Sequence, residues 1–383
     1  MKRPLRWVLG AIAGFVVIAL GVRMCTPNGS WLTDNGESTE EIDPALVLRD
    51  VTLEQQDENG RLLWKVNADE VTYSADQETA NLVNPEGEFY QDGELIYRAK
   101  ADRGTIQENG QIILLENNLV ATGIRNGMVI NGQTLEWQPS NNLMVISNGL
   151  TGTHPQVRAK ADTARIYELE NRMELVGNVI ATTVTENPEV DPWVKFQGET
   201  LQWRWEDETL NSDRPIRAER FENQQITQVL TGQRSLVELG AERVTLEEAV
   251  QAQFLDMPMT LTADKAVWEL PTQTIQADRS VRVVNPQEQI TVTAQQGQFD
   301  LDAETAVFSQ DVLAIAAKNS GRLTSNRLQW NLEDQTVIAE GRVNYQQADP
   351  QLTIRGERAR GRIEEQVVVV DGGNVVTEIQ PNF

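Results

Sequence analysis

Carboxylates supply almost all the side chains in this sequence that could do acid–base work. There is one histidine, His154, and one cysteine, Cys25, against 57 Asp and Glu. Ser-His-Asp hydrolases and Cys-His proteases need a dedicated imidazole beside the nucleophile, and a structural zinc site takes four Cys or His ligands, so these chemistries are hard to build here. A disulfide within one chain is excluded. Paired carboxylates could flank a glycosidic bond as acid and base. Acidic neighbours do occur, at Glu40-Glu41, Glu206-Asp207-Glu208, Glu247-Glu248 and Glu364-Glu365. They sit mostly at turns or strand ends, where a solvated face accounts for them. His154 precedes Pro155 in a turn and reads as structural or solvated, and Cys25 as an unreactive thiol. No catalytic residue, metal site or cofactor is expected.

A different chemistry, the burial of apolar matter, is written in the aromatic residues. Tyr73, Trp137, Trp203, Trp268 and Trp330 recur at intervals of 64, 66, 65 and 62 residues, with Ile106, Ile166, Phe299 and Ile363 at the corresponding place in several intervening segments. Leu135 stands two residues before Trp137, Leu201 before Trp203, Ala266 before Trp268 and Leu328 before Trp330. In a strand, residues two apart share a face. Between them lie Glu136, Gln202, Val267 and Gln329, mostly polar. Two readings stay open: core residues on alternate rungs of a two-sheet structure, or a row of amphipathic rings lining an elongated apolar groove. The candidate groove lining is Tyr73, Ile106, Leu135, Trp137, Ile166, Leu201, Trp203, Trp268, Phe299, Leu328 and Trp330.

The elements that would position this row are strands. Segments such as MVINGQTLEW, VKFQGETLQW, LTADKAVWEL and LTIRGERARG begin apolar, break at a small or polar residue, and resume with alternating apolar residues, the signature of a half-buried strand kinked at its middle. Each is followed by a turn and a second alternating run. The central small residues are Ala68, Ala101, Gly132, Ala161, Gly198, Ala263, Ala294, Ser325 and Gly356, separated by 33, 31, 29, 37, 65, 31, 31 and 31 residues. The double-length gap places a missing element near Gly232. Such a period implies one repetitive β unit. With one face of each sheet apolar, two layers must pair, so the expected fold is all-β, an elongated two-sheet jelly roll with an open groove. Residues 214–258 break the period; ELGAERVTLEEAVQAQFL there could form a short helix or an irregular strand pair. The stretch reads as a junction between two jelly-roll halves.

The amino-terminal 1–24 carries Lys2, Arg3 and Arg6 before an uncharged run at 7–22. About 20 residues of helix just span a bilayer core. A single-pass anchor is the reading, with a cleaved signal peptide and a lipoprotein as rivals. The positive flank would remain cytoplasmic and the rest would be exported. Residues 25–44 read as a flexible linker and 45–383 as the exported β unit. The net charge of −24 argues against a nucleic-acid partner, which requires a basic footprint.

The anchor, the Ala-Asp strand starts (Ala68-Asp69, Ala101-Asp102, Ala161-Asp162, Ala263-Asp264) and the L-x-x-x-V form at 175–179 resemble the periplasmic β-jellyroll proteins of lipopolysaccharide export, the LptC and LptA group with the OstA-like domain. The resemblance runs from Leu46 to the end, and the anchor makes it one to LptC. It implies a non-enzymatic protein of the inner membrane, its bulk in the periplasm, that receives lipopolysaccharide from the membrane subunits of an ABC transporter. The lipid would pass through the apolar interior to a downstream periplasmic jelly-roll protein docked at a sheet edge. The exported part is roughly twice as long as in shorter members, about eleven repeats. Residues 367–380, VVVVDGGNVVTEIQ, read as a final hairpin able to accept such a partner. The competing functions are a structural or adhesin-like β-repeat protein, and a polysaccharide-active enzyme on a β-helix.

Overall fold

The computed structural model describes residues 46–380 apart from 258, 349, 350, 364, 366 and 374. The expected membrane segment and linker lie outside the described residues. Among those described, no helix is long and apolar enough to cross a membrane. The β-rich unit is Pro44–Phe383.

Its described residues form 27 strands and four single-turn 3-10 helices. Every pairing is antiparallel, and each pass of the chain pairs with the pass before it and the pass after it. Six passes are interrupted at their middle and count as two strands each, so the 27 strands amount to 21 passes. This meander is β-jellyroll-like. It is not a β-helix, whose coils stack parallel strands.

Each pass serves two layers. In Trp193–Arg204 the first half pairs with Ile216–Glu222 and the second half with Thr209–Ser212. The chain therefore needs a corner in mid-strand, and in seven passes it makes one with consecutive left-handed residues: Asn117 and Asn118, Asn148 and Gly149, Gly177 and Asn178, Glu248 and Ala249, Arg279 and Ser280, Gln310 and Asp311, Gly341 and Arg342. The pairing register slips at these points. Asn and Gly tolerate that conformation because a short polar side chain, or none, relieves the Cβ clash.

The small residues of the repeat lie opposite the corners. Gly132 pairs with Leu119, Gly198 with Val179, Ala263 with Val250, Ala294 with Val281, Ser325 with Val312 and Gly356 with Val343. A Cβ at Gly132 would stand 2.9 Å from Ile146 Cγ2, and one at Gly356 2.6 Å from Val370 Cγ1. The Asp that follows several of them reaches the corner: Asp69 accepts from Asn84 Nδ2 at 2.8 Å, Asp102 from Asn118 at 2.6 Å and Asp162 from Asn178 at 2.8 Å. The Ala-Asp strand start is thus a corner device, with room supplied by Ala and a hydrogen bond by Asp. Gly232 occupies the place expected of the missing element, where an added Cβ would meet Leu246 Cβ at 3.1 Å.

Alternation along each half-strand buries one face. A single core cluster runs from Trp64 to Trp330, with a small second cluster of Ala339, Val343 and Ala359. The layers touch through ring contacts such as Phe89 with Trp137 at 5.5 Å and Phe254 with Phe299 at 6.2 Å.

Two expectations are corrected. The described residues of 214–258 form no helix: Ile216–Glu222, Gln225–Gly232, Arg234–Glu238 and Arg243–Phe254 pair with neighbours on both sides, with register slips at Arg220/Phe221 and between Glu247 and Val250 that match the irregular-strand alternative. The corner at Glu248 and Ala249 separates inward-facing Leu246 from inward-facing Val250 by four residues, a helical spacing produced by a bent strand. At the carboxy terminus, Val367–Asp371 and Val376–Gln380 both pair with Gln351–Arg362 and not with each other. They form one last pass broken at Gly372 and Gly373, which both have positive φ.

Replacing Gly177 by Ala tests the corner. Its φ is +79°, and an added Cβ would press on the Asp162 carboxylate. A loss of about 1–2 kcal/mol is expected, measured as a lowered thermal midpoint. Gly152→Ala, which meets nothing within 4 Å, is the control and should leave the midpoint unchanged or slightly raised.

Candidate functional site

The interior between the layers is closed on the side where the strands bend and ends on the other side at two sets of hairpin turns. All eleven candidate residues lie in the same layer. Tyr73, Ile106, Trp137, Ile166, Trp203, Trp268, Phe299 and Trp330 form one line with the residues directly paired between them, an unbroken apolar row from Tyr73 to Val337. Leu135, Leu201 and Leu328 lie one step deeper, toward the corners. All are buried except Tyr73, which is half-buried. Glu136, Gln202, Val267 and Gln329 are only partly buried, on the opposite face. Ile363 does not join the row: Gly361 pairs with Val337 there, and Ile363 begins the following turn.

A further row escaped the sequence reading. Leu239, Leu270, Leu301, Leu332 and Ile363 each follow the last strand residue of a pass, recur every 31 residues, and pack half-buried against the core at the rim. The 31-residue interval was visible in the sequence. Each of these residues sits at a turn, where an isolated apolar residue has no alternating neighbours to announce it.

The interior is not uniformly filled. A cavity of about 110 Å³ lies toward the carboxy-terminal end, lined by Leu323, Leu328, Trp330, Ala339, Tyr345 and Ile363 among others, with the Lys318–Glu288 ion pair (2.8 Å) at its border. A smaller gap of about 20 Å³ adjoins Trp203, His154, Leu201 and Met173.

Across the rim, the turns of the two layers meet at several points. Trp64 Nε1 donates to Gly110 O at 3.1 Å, and Gln55 Nε2 to Asn109 O at 3.4 Å. The His154 ring packs edge-on against Trp203 with centroids 4.7 Å apart, and Gln156 Nε2 donates to Glu208 Oε1 at 2.8 Å. Burial lowers the His154 pKa, against the pull of the Glu208 charge. His154 is thus a packing residue that closes the rim over the row. These contacts lie between residues 55 and 208, and the larger cavity lies beyond them, between 288 and 368.

No group of three or more His, Cys, Asp or Glu suited to a metal ion occurs among the described residues. With this geometry in view, the comparisons with known proteins become specific. Residues 14–147 match the family described as lipopolysaccharide-assembly, LptC-related. The match takes in about a third of the chain. That similarity supports a role in lipopolysaccharide transport. Among solved structures, the chain is similar to LptH, the LptA-homologous periplasmic component of the conserved lipopolysaccharide transport device from Pseudomonas aeruginosa. The identity is 15%, the TM-score 0.30, and the alignment covers 33% of this chain and 97% of LptH. A search of curated protein sequences found no match. The LptC-related region takes in the first part of the row, through Trp137.

Glu168 occupies the rim position that Leu239 and its equivalents take elsewhere, and it is buried. Burial holds its carboxyl above the ordinary glutamate value of 4.5, while the buried Tyr97 hydroxyl and the Arg125 charge oppose the shift. A raised acid favours the protonated folded state, so its contribution to stability is fully present below pH about 4.5 and is lost as pH rises through the folded value. Glu168→Gln should therefore melt progressively higher than the parent as pH is raised from 4 to 8. A melting difference that stays constant over that range would refute the assignment.

Proposed function

We propose that this chain is a conduit that accepts lipopolysaccharide from an inner-membrane ABC transporter and passes it between the two β layers toward the outer membrane. The observation that carries this reading is the unbroken apolar row from Tyr73 to Val337, which runs parallel to the rim and widens into a cavity near its carboxy-terminal end. An acyl chain entering between the turns leaves water at about 0.8 kcal/mol per CH₂. Its polar head remains at the rim. Successive passes present similar surroundings, so transfer from one to the next meets no large barrier.

The segment at 7–22 serves as the single-pass anchor in this reading, keeping the β unit in the periplasm beside the transporter. The net charge of −24 then acts as a solubility device rather than as a headgroup site. Partners dock at the sheet edges. Among the described residues the first strand, Val47–Gln56, and the last pass each have an unpaired side, and Leu46, Val47, Val367, Val369 and Val376 are exposed there. An open edge offers backbone donors and acceptors for strand addition, and a downstream jelly roll added at the last pass would prolong the row.

Photo-crosslinking residues placed at Leu135, Leu201 or Leu328 should capture lipopolysaccharide in cells, while placement at Glu136, Gln202 or Gln329 should not. Capture from the outer-face positions alone would overturn the conduit. Deleting 367–383 should abolish binding of the downstream jelly roll while leaving capture at Leu135, and unchanged binding would move docking elsewhere.

A further inference from the structure

Trp137, Trp203, Trp268 and Trp330 repeat at 66, 65 and 62 residues, and each is at most 5% exposed. None of their indole N–H groups has a hydrogen-bond partner within the described protein. This is not how the fold treats every buried indole. Trp64, in the opposite layer, donates to Gln55 Oε1 at 2.7 Å and to Gly110 O at 3.1 Å. A buried donor left unpaired costs about 1–3 kcal/mol, and native proteins seldom leave one. Four at the same place in a repeat form a pattern, and two of them adjoin open space: Trp330 lines the larger cavity and Trp203 the smaller.

Plain hydrocarbon would fill those spaces and leave every indole unsatisfied. The complementary ligand is an apolar chain that carries an oxygen acceptor within it. We propose that the four indoles form a ladder of hydrogen-bond donors that recognises the carbonyl oxygens of acyl chains, so that the interior selects acylated amphiphiles over alkyl ones. The proposal rests on the conduit reading and deepens it. Neighbouring indoles at Trp203 and Trp268, or Trp268 and Trp330, stand four passes apart, about 19 Å at ~4.8 Å per pass. One donor is therefore released before the next is met, and the intervening passes hold the chain by apolar contact alone.

The test uses the full-length chain, ¹⁵N-labelled at tryptophan, in a maltoside detergent. It is titrated with a 14-carbon lysophosphatidylcholine ester and with the ether analogue that lacks the carbonyl. The indole N–H resonances of Trp203 and Trp330 should move to lower field with the ester and stay in place with the ether, a readout that needs no variant to fold. Trp330→Phe keeps an aromatic ring in place and removes the donor. It should weaken ester binding about 5- to 10-fold, in line with one hydrogen bond, and leave ether binding unchanged. Equal shifts and affinities for the two probes, or a variant that weakens both alike, overturn the ladder and leave the conduit standing. Failure of both probes to bind overturns the ladder and the conduit together.

Discussion

Every pass of this chain has to leave one layer and enter the other in the middle of a strand. Seven passes make the bend with two consecutive left-handed residues, and the pass beside each offers a small residue at the point of closest approach. The Asn and Gly corners, the Ala, Gly or Ser opposite them, and the Asp that bonds back to the corner amide all answer this one constraint. Where the chain uses Pro instead, at Pro85 and Pro215, the pass breaks into two short strands and the same bend is reached by interruption. Backbone groups freed at the corners are paired across them, as in Asp102 N to Asn117 O at 3.0 Å and Asp162 N to Gly177 O at 2.9 Å.

Because the bend closes one side of the interior, the other side is defined by turns. Turns are less tightly constrained than strands, so the rim is where the repeat varies from pass to pass. Early passes bridge it with Trp64, Gln55, His154 and Gln156. Later passes carry Leu270, Leu301 and Leu332 there, packed against the core, and Ile363 of the same row lines the cavity. Glu168 stands at a rim position that other passes fill with leucine, and its raised pKa follows from that placement. The same scaffold thus has a bridged stretch and a roomier stretch without any change in strand pairing.

An interior that carries unsatisfied donors is poorer as a core than one without them. The indoles would be better replaced by Phe if packing were their only task, as Phe299 is in the same row. Fold and function therefore make different demands on one line of residues. The fold needs bulk on the inner face of each pass, and the proposed conduit would need that bulk to tolerate, or to bind, something that comes and goes.

The two-residue alternation, the 31-residue period and the aromatic spacing were local properties. They sufficed to read an all-β repetitive unit, its inner face, the kinks and even the hidden element at Gly232, because each depends on residues two apart or on exact recurrence. The resemblance to lipopolysaccharide-export proteins rested on the same features. What could not be read was any consequence of two halves of a strand belonging to different layers. The corner at Glu248 and Ala249 imitates a helical interval, Gly372 and Gly373 imitate a hairpin turn, and Ile363 imitates a member of the aromatic row. Each resolves only when cross-strand partners far apart in the chain are known. Which indoles remain unpaired, where the rim is bridged and where the cavity lies were likewise decided by tertiary structure, since a hydrogen-bond partner or a gap is a relation between distant passes and leaves no mark in the order of residues along one of them.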